Sequence, residues 1–384
     1  MSWITLTVVL VVLCVASLLY LGLYLRWVGQ QTSGMAYYGR SLAEREALKR
    51  RIARRSLPIV PLVRLLALLN RTRSIMPTFE YEGVCGPPKV SSKDVFERAK
   101  KYQPQPEDVF VVTQMRCGTT WMQQLVFQIV TRGRGDFGDQ DHRHLYAVSP
   151  WIDAVDSVSL QDAPLVGEKP TRIIKSHLPT VLCPYSQCAK YIYVARHPVS
   201  CFASIVDFNR LLVGPLLPPV STLADWFCSD RMYWLPWPRH VSGWWEWAES
   251  RDNVLFVHFE TMKRDFGAVR DQVAGFLGYA LTPEEERRID EKCSFQYMQD
   301  REAFFETAPP TMFSVAGGQF MASGKESRHE DVTPAVRERI LDYCRHALSE
   351  SAYPASHFYS DLAVDRSMSH SAPSAPYSHD AASI

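Results

Sequence analysis

Hydrophobic and polar positions divide the chain into three regimes. From Trp3 to Leu25 no residue is charged and Val and Leu dominate. At ~1.5 Å per helical residue, such a run spans the ~30 Å hydrocarbon core of a bilayer. Trp3, Tyr20, Tyr24 and Trp27 stand near its ends, where aromatic side chains suit the interface. No basic residue precedes the run, and it ends in Leu25-Arg26-Trp27 without a small-residue cleavage pattern, so residues 1–27 are expected to be a retained transmembrane anchor rather than a signal peptide. Residues 28–93 form a second regime, a basic juxtamembrane segment. Its Ser41–Arg55 stretch is charged and helix-favouring, and Leu57–Leu69 is apolar but broken by Pro58, Pro61 and Arg64. That stretch is too short to span, and it either lies at the membrane interface or packs on the main domain.

From Asp94 the pattern alternates between short β-branched runs and helical periodicity. Val109–Thr113, Arg172–Lys175, Tyr191–Ala195 and Val254–Phe259 read as buried strands, each leading into a turn or helix. Thr119–Val130, Asp265–Leu277 and Thr333–Leu348 read as helices, the last opened by Thr333 as N-cap and Pro334 as first helical residue. This alternation predicts an α/β domain over residues 94–365, a three-layer P-loop-like parallel sheet flanked by helices. The tail, residues 366–384, is rich in Ser, Ala, Pro and His and is expected to be disordered.

Charge refines the picture in two ways. With 42 basic and 41 acidic side chains the formal net charge is +1, so no global field points to nucleic acid as a partner. Basic residues follow the span (Arg26, Arg40, Arg45, Lys49, Arg50, Arg51, Arg54 and Arg55) and none precede it, which predicts a cytoplasmic main domain. A sequon at Asn70-Arg71-Thr72 argues for the opposite, Golgi-lumenal orientation, and is ranked below the charge bias. The nine cysteines show no paired metal-ligand spacing; Cys183 and Cys188 could pair, but buried free thiols are the expectation.

The candidate chemistry begins at Thr113-Gln114-Met115-Arg116-Cys117-Gly118-Thr119-Thr120-Trp121, between a strand and a helix. Backbone N–H groups, the positive helix end and two threonine hydroxyls form an anion cradle, with Gly118 allowing close approach. A nucleoside-triphosphate enzyme would place lysine after the second glycine and an acid at a strand end to help hold Mg²⁺. Here the cation precedes the glycine and the strand Tyr191–Ala195 runs into Arg196, so a less charged group transferred without a metal fits better. Downstream, His177 stands two residues after Lys175 at the end of a strand, at the rim where α/β sheets bind ligands; taken alone, such a histidine is more often structural than catalytic. Trp226, Phe227, Tyr233, Trp234, Trp237, Trp244, Trp245 and Trp247 form an aromatic cluster suited to an apolar acceptor pocket or to a lid close to a bilayer. Packing on the sheet is the preferred expectation for Trp244, Trp245 and Trp247.

These motifs, in order from Asp108 to about Lys325, resemble the sulfotransferases that use 3′-phosphoadenosine-5′-phosphosulfate (PAPS). The loop is similar to that family's T-x-P-K-S-G-T-T-W, with Arg116 in place of lysine and Cys117 in place of serine. The resemblance implies that Cys117, Gly118, Thr119 and Thr120 line the 5′-phosphosulfate and that Trp121 stacks on adenine. By the same resemblance, Lys175-Ser176-His177-Leu178-Pro179 gives His177 as the base, with Lys175 and Arg116 stabilising the transferring group. Arg196 and Ser204 would grip the 3′-phosphate, and Val254–Asp265 is similar to F-Y-E-D-M-K-x-D with Phe259 for its tyrosine. Phe295 in Cys293-Ser294-Phe295 would touch adenine. The last motif survives as Phe320-Met321-Ala322-Ser323-Gly324-Lys325, giving Gly324 and Lys325 as donor contacts without the expected arginine. The function implied is sulfonyl transfer from PAPS, without a metal, to a hydroxyl or amine of a small or lipid-like acceptor. The alternative is a catalytically decayed, membrane-bound nucleotide-binding scaffold.

Overall fold

A computed structural model describes residues 2–70, 76–138, 143–155, 157–313, 321, 324 and 327–363. Arg71 and Thr72 of the sequon, Lys325 and most of its motif, and the tail from 366 lie outside the described residues.

The N-terminal helix runs from Trp3 to Thr32, five residues beyond the expected end at Trp27, with Ser2 accepting from the Thr5 amide as its cap. Its apolar residues are exposed over most of its length. A second helix, Leu42–Ser56, begins with a capping box between Ser41 and Glu44. That box satisfies two backbone donors reciprocally and fixes where the helix starts. This basic helix is tied to the last turns of the first. Tyr20 donates to the Arg55 carbonyl at 2.9 Å, Tyr24 to the Ile52 carbonyl at 3.2 Å, and the Arg55 guanidinium lies 4.2 Å from the Trp27 ring centre.

On its other face the basic helix packs on the main domain. Arg45 is buried there, donating to the carbonyls of Ala303 and, at 3.0 Å, of Arg143, with Glu306 at 3.6 Å. A buried guanidinium needs such partners, so breaking them would leave an uncompensated charge. The helix Val60–Asn70 follows and packs against the turn Gly214–Leu216, leaving Leu65, Leu66 and Leu68 exposed.

In the main domain a small antiparallel hairpin, β1 (Phe79–Tyr81) and β2 (Val84–Gly86), precedes the sheet. The sheet contains β3 (Asp108–Thr113), β4 (Arg172–Ser176), β5 (Lys190–Ala195) and β6 (Val254–His258). All pairings are parallel and the order is β4-β3-β5-β6. Alternate residues face opposite layers, as the period of two requires. Phe110, Val112, Ile174, Tyr191 and Tyr193 enter one apolar cluster, while Val109, Val111, Ile173, Ile192 and Val194 enter the other with Leu125 and Ile129. Burial on both faces explains why these strands read as continuous apolar runs. Phe259, expected to finish a strand, instead starts the short helix Phe259–Arg264.

The chain leaves β3 toward β4 and then returns across it to β5. The crevice at the carboxyl ends of these strands is therefore a topological switch point, where open α/β sheets bind ligands. The aromatic cluster packs mainly on the sheet: Trp244 and Trp237 are fully buried, and Trp244 stacks on Tyr193 at 5.4 Å. Trp244, Trp245 and Trp247 pack on the sheet layer as expected, and of the cluster only Tyr233 and Trp234 reach the cavity above the strand ends. All nine cysteines are free thiols.

Candidate active site

A cavity of about 780 Å³ opens at the carboxyl ends of β3, β4 and β5. Arg116, Gly118, Thr119, Thr120, Trp121, Lys175, His177, Arg196, Ser204, Phe295 and Gly324 all line it. Cys117 does not: it is buried beneath the loop, its Sγ 3.7 Å from that of Cys201.

The loop after β3 turns through two left-handed residues, Arg116 at φ 64° and Gly118 at φ 99°. Alternating backbone of this kind turns successive N–H groups inward and forms an anion-binding concavity. At Gly118 a Cβ would lie 2.8 Å from the Phe259 ring, so both the positive φ and the space demand glycine. The loop is held from outside by neutral and charged donors. Gln114 Nε2 donates to the carbonyls of Tyr233 and Leu235 at 2.9 and 2.7 Å, and Arg196 donates to the Arg116 carbonyl at 3.1 Å. Thr119 and Thr113 share a hydroxyl hydrogen bond of 2.6 Å.

Two cations face this concavity, Arg196 buried and Arg116 partly buried. Arg196 packs 4.3 Å from the Phe259 ring centre, and its buried Nε has no hydrogen-bond partner among the described residues. Arg116 donates from Nε to Ser204 Oγ at 3.2 Å and lies 4.7 Å from the Phe208 ring centre. Burial, then the neighbouring Arg196, pull its pKa down to about 10. An orphaned guanidinium nitrogen, mutually repelling arginines and a glycine cradle together fit a polyanionic guest. Trp121 stacks on Phe266 at 5.4 Å and donates to the Cys293 carbonyl at 2.8 Å, which fixes its ring at the cavity wall. Phe295 and Gly324 meet nearby, a Cβ on Gly324 lying 3.2 Å from the Phe295 ring.

His177 follows β4 at the rim. Its Nδ1 lies 2.8 Å from the Thr113 carbonyl oxygen, an acceptor only, so Nδ1 carries the proton and Nε2 is left as the basic nitrogen. Burial, then the charge of Lys175, hold its pKa well below the usual histidine value, so the imidazole is neutral. Trp151 and Trp234 flank the ring at 5.3 and 4.9 Å between centres. Lys175 is buried with its ammonium 3.4 Å from the Trp151 ring centre and donating to Tyr146 Oη at 2.6 Å.

Residues that the sequence did not single out complete this constellation. Asp153 is fully buried; its carboxylate accepts from Ser176 Oγ at 2.9 Å, the His177 amide at 3.1 Å and Trp151 Nε1 at 3.1 Å. It therefore fixes the backbone that carries the histidine and the ring that faces the lysine. Trp151 and Asp153 stand in irregular backbone after Pro150, where no periodicity marks them. Arg328 is a further cation on the cavity wall, bonded to Asp207 at 2.5 Å and Asp331 at 2.7 Å.

A sulfotransferase-domain family model matches residues 106–352. The chain belongs to the sulfotransferase family. This sulfotransferase is 29% identical over 258 residues to Sulfotransferase 1C2 of Oryctolagus cuniculus, spanning 64% of this chain and 83% of that protein. It is 28% identical over 254 residues to the 3-alpha-hydroxysteroid sulfotransferase of Cavia porcellus, spanning 64% and 84%. Among solved structures, mouse sulfotransferase SULT7A1 complexed with PAP superposes with a TM-score of 0.56 at 20% identity, covering 71% of this chain and 95% of that one. Retinol dehydratase in complex with androsterone and inactive cofactor PAP gives 0.53 at 20% identity, covering 73% and 92%. The structural likeness shows the fold; the sulfotransferase's own residues carry the chemistry.

Proposed function

We propose that this sulfotransferase takes a sulfonyl group from PAPS and transfers it to a hydroxyl or amine of a small or lipid-like acceptor, while an N-terminal helix tethers it to a membrane with the main domain on the cytoplasmic side. The observation that carries the reading is the placement of His177, with Nδ1 fixed on the Thr113 carbonyl, at the rim of the cavity that holds the Met115–Trp121 cradle. The donor supplies the electrophilic sulfur. Gly118, Thr119 and Thr120 present amides and hydroxyls to its 5′ end, and Arg196 and Ser204 take its 3′-phosphate. His177 Nε2 accepts the proton that the acceptor's nucleophile loses. Lys175 and Arg116 place positive charge where negative charge grows, an effect strengthened in a site sheltered from water. PAP binding in relatives and sulfonyl transfer by curated sulfotransferases support this reading.

The test pairs transfer of labelled sulfonyl from PAPS to a panel of alcohols, phenols and amines with calorimetric binding of PAP. His177→Ala should bind PAP as the parent does and lose about 10²–10⁴-fold in rate, the usual contribution of a positioned acid or base. PAP binding without transfer to any acceptor would favour a scaffold, a reading to which the Arg116 contact with Ser204 lends a specific basis. Arg116→Lys then decides, because a point charge freed from Ser204 and Phe208 restores turnover only if the remaining site is competent.

A further inference from the structure

We infer that the acceptor enters from the bilayer, through a mouth that the membrane-facing helices hold at headgroup level, and that it is a bilayer-resident amphipathic alcohol. The inference rests on the tethered sulfotransferase proposed above and adds the source of its acceptor.

The end of the N-terminal helix is part of the cavity wall. Gly29, Thr32 and Ser33 line the same cavity as His177. They follow Trp27 by two to six residues, or about 3–9 Å along the axis at 1.5 Å per residue. If the exposed apolar run Trp3–Leu25 crosses the hydrocarbon, Trp27 and Arg26 mark its surface and the cavity mouth lies immediately above it.

A second element brings the mouth to the same level. The helix Val60–Asn70 packs on Gly214–Leu216, and Leu216 and Leu217 line the cavity together with Phe208, Leu211 and Leu212. Leu65 and Leu68 are exposed on the outside of this helix at 55% and 63%, with Arg64 on the same face as Leu68, and Leu57 in the turn before it is exposed at 68%. Arg50, Arg51, Arg54, Arg55 and Arg64 are exposed around it. An apolar face rimmed by arginines complements the acyl boundary and anionic headgroups of a bilayer. The apolar limb of the cavity is thus walled by the turn against which this apolar, arginine-bearing helix packs. On this inference an amphipathic alcohol passes from the bilayer into that limb with its polar end leading toward His177.

The test uses the full chain reconstituted in phosphatidylcholine vesicles containing phosphatidylserine. Nitroxides on Leu65→Cys and Leu68→Cys, in a background lacking the exposed Cys14 and Cys188, should be shielded from a water-soluble relaxant and accessible to oxygen. A diazirine-bearing sterol in the vesicles should cross-link within residues 208–217. Water-exposed nitroxides, or no label in that segment, would overturn the inference whatever the turnover. In the transfer assay, Leu65→Glu with Leu68→Glu should lower the rate on a vesicle-borne sterol about tenfold or more. PAP binding and the rate on a water-soluble phenol should stay at the parent level. Equal losses on both acceptors would also overturn it. If the labels report a membrane-facing mouth and no acceptor is sulfonated, the chemical reading fails and the bilayer entrance stands.

Discussion

Gly118→Ala tests the cradle most sharply, because the structure gives two independent reasons why alanine should fail there. The first is conformational: at φ 99° an L-residue costs about 1–2 kcal/mol relative to glycine. The second is steric, since the new Cβ would lie 2.8 Å from the Phe259 ring, and overpacking of this kind typically costs about 1–3 kcal/mol. The ring cannot swing aside freely, because Arg196 lies over it at 4.3 Å and Trp121 meets its edge at 5.8 Å. Together the terms reach about 2–5 kcal/mol, and the portion falling on the anion-binding loop appears as lost affinity at tenfold per 1.4 kcal/mol. A loss of about 30-fold or more in PAP affinity, measured by calorimetry, is expected. The double variant with Phe259→Leu removes the clash and keeps the conformational cost. The cycle should therefore show a favourable coupling of about 1–3 kcal/mol between the two sites. PAP affinity within threefold of the parent for Gly118→Ala, or additive effects in the cycle, would refute the close approach of loop and ring as the reason for glycine.

Two further outcomes follow from the buried polar groups. Asp153→Asn replaces a carboxylate that accepts three hydrogen bonds with a group that must turn a donor toward one of them, at a cost of about 1–3 kcal/mol. It should lower kcat with little change in PAP affinity, and a normal kcat would remove Asp153 as a positioning residue for His177. Stability should fall with acid: burial depresses His144 and His177 well below the usual histidine value, His240 to about 4 and His258 to about 3. Each is neutral in the fold but protonates in the unfolded chain below about pH 6.5, so the unfolded state binds more protons and stability rises with pH across that window. Denaturant midpoints should drop from pH 7 to pH 5, with a shallower slope for His240→Gln; slopes that coincide would show that His240 does not contribute.

How much of this was legible beforehand depended on whether a signal was local. The sheet strands were readable because burial on both faces leaves uninterrupted β-branched runs, and the cradle because one glycine and two threonines stand between such a strand and a helix. His177 stood out through its neighbours Lys175 and Ser176 in one short segment. Asp153, Tyr146 and Trp151 gave no such signal, since their relation to His177 and Lys175 exists only after β4 is laid beside β3. The direction of Arg116 was likewise unreadable: its hydrogen bond to Ser204 spans 88 positions. The aromatic cluster was open to two readings because Trp composition is the same for a pocket wall and a packed layer. What separates them is the stacking of Trp244 on Tyr193, a long-range fact.

His177, the proposed base, and the cradle hang from adjacent strands. Val112 is paired with Ser176 in the β3–β4 ladder, and the next residues on, Thr113 and His177, are joined by the hydrogen bond that fixes the imidazole. The distance between His177 and the loop is thus set by the ladder, which no single surface change can stretch. The residues around Leu211–Leu217, by contrast, come from a helix end and a turn. The proposed base and the proposed acceptor limb therefore rest on different elements, and remodelling the turn could exchange one acceptor for another while leaving the ladder that fixes His177 unaltered.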